Sequence, residues 1–103
     1  MSKTYDQPIV IQKINEATEE WEDVYRPHAS INKNKNNDEY LSGGAVQAKR
    51  TLVFEIRYFA DLELVANNTQ LYRVMYRGTP YNIEDYDDYM MRHKTVKLLG
   101  VSY

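Results

Sequence analysis

Residues 51–58, TLVFEIRY, form the clearest alternating run of the chain. Leu52, Phe54, Ile56 and Tyr58 fall on one side, and Thr51, Glu55 and Arg57 on the other. A period of two over eight residues is the signature of a half-buried strand, and it commits the chain to a sheet with one dry face. The same pattern returns at Leu71–Arg77, where Tyr72, Val74 and Tyr76 oppose Arg73, Met75 and Arg77. It also returns at 8–14 through Ile9 and Ile11, and at Thr95–Val101 through Val96 and Leu98. Residues 21–31 read as a longer strand with Trp21, Asp23, Tyr25, Ala29 and Ile31 in one phase, bent or set at an edge by Pro27. Tyr81–Tyr86 reads as the hairpin partner of Leu71–Arg77 across a turn at Gly78-Thr79-Pro80.

Between these runs lie turns. Residues 15–20 are a polar turn, residues 59–68 a connection with room for one helical turn, and Asp87–His93 a charged loop. Residues 32–37 read NKNKNN and have nothing to bury, so a long loop is expected there. The expected fold is mainly β: one domain over 1–103, a small antiparallel barrel or sandwich of about six strands with at most short helical turns. At 103 residues its core is small. Ten tyrosines against two phenylalanines suit strands and wet-edged interfaces.

Few chemistries fit this composition. There is no cysteine, so disulfides, cysteine–zinc sites and thiol nucleophiles are out. The serines stand in no nucleophile-elbow setting, and His28 and His93 read as surface residues, so no catalytic residue is expected. Gly43-Gly44 lacks the lysine and hydroxyl of a phosphate loop. Glu84, Asp85, Asp87 and Asp88 lack the spacing and glycine of a calcium loop. They read as a solvated contact patch, as do Glu19 and Glu20 within the acidic run 16–23. No cofactor and no metal are expected. No apolar run reaches the roughly 20 residues of a membrane span, and the polar start lacks a signal-peptide core, which points to synthesis in a cytoplasm.

Charge is unevenly spread. The chain carries net −2, yet residues 26–50 carry +3 and the remainder −5. The basic segment suits a polyanion, whereas the bulk charge does not suit a dedicated nucleic-acid binder. Arg57, Tyr58, Arg73, Tyr76 and Arg77 interleave cations and rings, as a single-strand-binding barrel would, but arginine and tyrosine occupy opposite phases, so packed tyrosines and solvated arginines are the simpler expectation.

The ordered set of motifs resembles the head–tail joining, head-completion or stopper, proteins of long-tailed bacteriophages. The matching stretches are IVIQK at 9–13, EEWEDVY at 19–25, EYLSGGAVQA at 39–48, FEIRY at 54–58, YRVMYRGTPYNIEDYDD at 72–88 and the closing TVKLLG. The resemblance implies a virion protein, made in the bacterial host and encoded by a phage or prophage. It would form a homo-oligomeric ring under the portal–adaptor proteins, close the exit channel around packaged double-stranded DNA, and offer the surface to which a tail completion or tail tube protein docks. A chain that stays monomeric until docked is equally compatible. By matching position, the channel loop is residues 31–50. Its candidates are Lys33, Lys35, Lys49 and Arg50 toward DNA, Tyr40, Leu41 and Val46 for loop or adaptor contacts, and Gly43 and Gly44 for bending. Two alternatives stand beside this: a tail-completion or terminator ring, which would bind the tail tube, and a single-strand nucleic-acid module, which would bind oligonucleotides in a salt-sensitive way.

Overall fold

The structure, a computed structural model, describes residues 5–33, 50–88 and 92–102. In it one antiparallel sheet of eight strands curls into an open half-barrel. The strands are β1 (Gln7–Pro8), β2 (Val10–Asn15), β3 (Glu20–Tyr25), β4 (His28–Lys33), β5 (Arg50–Arg57), β6 (Tyr72–Tyr76), β7 (Thr79–Asp88) and β8 (Thr95–Ser102). Their order across the sheet is β1-β4-β5-β8-β7-β6-β2-β3. The mainly β antiparallel expectation holds, with eight strands in place of about six.

The two extra strands come from bends. The run expected at 8–14 breaks at Ile9, and the run expected at 21–31 breaks at Arg26-Pro27. Both breaks lie side by side, since the Ile9 N–H donates to the Pro27 carbonyl at 3.1 Å. β1/β4 and β2/β3 are thus the two halves of one bent hairpin. One half pairs with β5 through β4, the other with β6 through β2. Proline cannot continue a ladder, which is why the bend falls there. Tyr76 OH reaches Gln7 Oε1 at 3.4 Å and ties β6 to β1 across the curl.

The concave face is the core. Ile9, Ile11, Ala29, Phe54, Ile56, Tyr72, Val74, Tyr81, Ile83, Val96 and Leu98 are buried there, as the alternation of β5 and β6 predicts. Phe54 meets Tyr76 and Tyr81 edge-on, with ring centroids 5.8 and 5.4 Å away. The six-residue helix α1 (Leu62–Asn67) buries Leu62 and Val65. So short a helix is marginal alone and is held by that burial. Asn68 ends it, with its side-chain amide donating to the Leu64 carbonyl at 3.2 Å.

Two bulges reset the alternation. On β3, Ile11 pairs with Tyr25 but Gln12 with Asp23, so Val24 is the extra residue. The phase expected for 21–31 therefore switches: Tyr25 packs against the core, while Trp21 and Asp23 stand on the convex face. On β7, Ile83 pairs with Gly100 and Asp85 with Leu99, leaving Glu84 extra. That bulge turns Tyr86 inward opposite Leu98 and sends Asp85 and Asp87 outward.

Two further expectations are corrected. Asp87 and Asp88 are not loop residues; they finish β7, where Lys97 and Val96 pair with them. The turn expected at Gly78-Thr79-Pro80 is instead the two-residue loop Arg77-Gly78, with φ of +50° and +79°, and Thr79 and Pro80 already belong to β7. Positive φ at both positions is the turn whose twist matches a hairpin.

Candidate functional site

Register fixes where the candidates lie. Arg50 pairs with Ser102, and Arg57 with Thr95, at opposite ends of β5. Eight residues of strand separate these ends by roughly 23 Å. Through β8 and β7 the register carries on to β6, placing the Arg77-Gly78 turn at the Arg50 end and Asp88 at the Arg57 end.

Lys33 and Arg50 belong to neighbouring strands of the β4–β5 hairpin, in which Lys33 pairs with Leu52. Arg50 is exposed. The expected loop is therefore shorter than 31–50: Ile31, Asn32, Lys33 and Arg50 are strand. Lys35, Tyr40, Leu41, Gly43, Gly44, Val46 and Lys49 lie outside the described residues. The connection that holds them leaves and re-enters the sheet at the Arg50 end.

The acidic candidates are spread out: Asp87 and Asp88 reach the other end, while Glu84 and Asp85 lie level with Leu52 and Val53. Glu19 and Glu20 lie at the tip of the β2–β3 hairpin. There the Asn15 side chain accepts from the Ala17 N–H at 3.0 Å, and the Glu19 N–H reaches the Asn15 carbonyl at 2.6 Å. Register through β6 sets this tip beside the start of that strand, at the Asp88 end. Glu84, Asp85 and Asp87 are exposed along β7, while Asp88 turns inward. The bulge thus separates the four carboxylates, and among the described residues no group of three His, Asp or Glu could hold a metal.

A knot of side chains closes this end. The Asp88 carboxylate accepts the His93 backbone N–H at 3.0 Å and lies 2.5 Å from its Nδ1. His93 stacks on Tyr58 with centroids 4.4 Å apart, and Tyr58 OH donates to Glu63 at 3.2 Å. His93 Nε2 stands 4.0 Å from that same Glu63 oxygen. Burial pushes the Tyr58 phenol up, and so does the bond to Glu63. Tyr86, packed beside them, is pushed up to about 12 by burial and then by Glu63 and Asp88; its hydroxyl is buried without a partner. His93 is exposed, as the sequence suggested, and is also held by Asp88 and Tyr58. A histidine at φ +55° leaves no mark in residue order.

A second group lies where the alternation gave no sign of one. On the convex face the Arg73 guanidinium lies 4.4 Å over the Trp21 ring and donates from Nε to Gln12 Oε1 at 2.8 Å. Gln12 in turn donates to Asp23 at 2.7 Å, and Asp23 pairs with Arg26 at 2.9 Å. Only the Val24 bulge brings Trp21 and Asp23 to this face. Tyr72 and Val74 are buried as the alternation of 71–77 implied.

On the convex side of β5, Glu55 is only 4% exposed. Tyr5 OH donates to it at 2.7 Å, and Arg57 lies over the Tyr5 ring. This fastens the segment before β1 across the sheet.

A family model described as "Phage head completion protein" matches residues 5–100. No curated protein matches the chain. Among solved structures, the solution structure of protein SF1141 from Shigella flexneri 2a is similar. It is 24% identical, with a TM-score of 0.61, over 95% of this chain and 92% of that one. That likeness concerns the fold.

Proposed function

This chain belongs to the phage head completion protein family, and we propose on that footing that it closes the DNA exit channel of a filled head and offers the docking surface for the tail. The family is one of structural virion proteins, so its members work in the virion with other head and tail proteins. In the proposed arrangement, copies form a ring beneath the portal–adaptor proteins. The basic segment turns inward, with Lys33, Lys35, Lys49 and Arg50 toward DNA, Tyr40, Leu41 and Val46 at loop or adaptor contacts, and Gly43 and Gly44 as the bend. The exposed acids Glu19, Glu20, Glu84, Asp85 and Asp87 meet the neighbouring proteins.

One observation carries this reading. The connection bearing the basic charge springs from the Lys33–Arg50 end of the sheet. Repetition around a ring would turn a net +3 segment into a collar beside phosphates, and the net −5 of the remaining chain disfavours DNA binding elsewhere.

Replacing Lys33, Lys35, Lys49 and Arg50 together with serine tests it. Heads carrying the variant should lose DNA while the protein stays folded; full, infective heads would sink the collar. Electron microscopy of a lysate lacking the chain separates the neighbouring alternative. Emptied heads beside complete, unattached tails support closure, whereas full heads beside overlong tails mark a tail-completion protein.

A further inference from the structure

The convex face of β3, β2 and β6 carries a polar row between two apolar ones. Asp23, Gln12 and Arg73 are register partners across the three strands. Ile14 and Trp21 pair on one side of that row, Val10 and Met75 on the other. All four apolar residues are half-buried, on the face that an isolated curled sheet would leave polar.

Arg73, on β6, ends the polar row. Trp21 fixes the plane of its guanidinium, and Gln12, itself held by Asp23, takes up Nε. The two η nitrogens have no acceptor among the described residues. They are not among the buried polar atoms lacking a partner, so they reach solvent. Partial burial pulls the guanidinium's pKa down from its ordinary value, and no carboxylate offsets that desolvation. An oriented fork with four free N–H donors fits one planar two-oxygen anion.

We propose that this face is a protein-docking surface on which Arg73 receives a carboxylate of a partner chain while Trp21, Ile14, Val10 and Met75 take an apolar side chain beside it. The frame decides for a carboxylate over a nucleic-acid backbone. A phosphate track needs several free cations, and Arg26, the nearby one, is already paired with Asp23. An aromatic stacked on an arginine, flanked by half-buried apolar residues, is the composition of a binding hot spot. Nothing about the channel enters here, so failure of the closure reading would leave this surface standing.

The test is a nuclear magnetic resonance titration of the full chain with the probe acetyl-Leu-Asp-Leu-amide, its Asn analogue, and a short DNA duplex. The Trp21 Nε1–H and Arg73 Nε–H signals should shift saturably with the Asp peptide, and about tenfold more weakly with the Asn peptide. DNA should leave them in place. Arg73→Gln should abolish the response, and Arg73→Lys, which keeps the charge but loses the fork, should weaken it severalfold. Arg73→Lys decides alone if the glutamine variant does not fold. The proposal falls if the Asp peptide moves neither signal, if the Asn peptide matches it, or if Arg73→Lys binds as the parent does. It also falls if DNA shifts the same signals in a salt-sensitive way, which would make this a phosphate-binding face.

Discussion

Gly100 of β8 lies flat against the ring of Phe54 on β5: a Cβ built on Gly100 would stand 2.7 Å from Phe54 Cε2 and 3.0 Å from the Tyr81 Cβ. Phe54 and Tyr81 are both buried in the core. Gly100→Ala should therefore cost about 1–3 kcal/mol, by overpacking. Chemical denaturation checks it, and pairing the change with Phe54→Leu should recover part of the loss. If Gly100→Ala is neutral, the close approach is not a constraint.

Tyr86 ties stability to alkaline pH. Its phenol is pushed up to about 12 in the folded chain, against an ordinary value near 10. The fold thus favours the neutral form. That contribution is complete below about pH 10 and is lost as pH rises through about 12. Tyr5, Tyr25 and Tyr58 shift the same way and add to the trend. Tyr86→Phe removes a hydroxyl buried without a partner. It should be neutral or stabilising by up to about 1 kcal/mol at pH 7, and it should flatten the alkaline decline. Thermal melts of both proteins from pH 8 to about 12 measure this.

Arg77 occupies a left-handed position better suited to asparagine or glycine. Arg77→Asn should stabilise the β6–β7 hairpin by a few tenths to about 1 kcal/mol, even after loss of the cation over the Tyr76 ring. Gly78→Ala should destabilise by about 1 kcal/mol, because φ is +79° there although the space is open. Urea midpoints of the two variants should move in opposite directions.

Asp88 holds His93 by two contacts, linking the end of β7 to the approach to β8. Asp88→Ala should cost about 0.5–1.5 kcal/mol. It should also speed hydrogen exchange at the Tyr58 amide, which donates to the Lys94 carbonyl at 3.0 Å. Unchanged exchange at Tyr58 would mean that the knot is local to the turn.

The strands whose apolar residues all face one way were legible in residue order. Leu52, Phe54 and Ile56 announce β5, and Tyr72 with Val74 announces β6, because one buried face imposes a period of two. Positions where a single residue is inserted were not. Val24 and Glu84 look like any other strand residue, yet each reverses the phase of the residues after it. The Trp21–Arg73 stack was hidden for that reason. Asp87 and Asp88 looked like loop because two adjacent acids are poor strand formers, but pairing with Lys97 and the contact with His93 override that preference. Pro27 announced a bend, but the splitting of one hairpin between two ends of a sheet comes from pairing with β5 and β6, which no local pattern encodes.

The position of β8 makes it the seam of the sheet. It follows every other described strand in sequence, yet it sits between β5 and β7 at the middle of the sheet. Without it the described strands fall into two blocks, β1-β4-β5 and β7-β6-β2-β3, joined at the bend between Ile9 and Pro27. Two long-range pairings of one strand therefore hold the blocks together, and a chain cut before Thr95 would carry two open edges rather than a nearly finished fold.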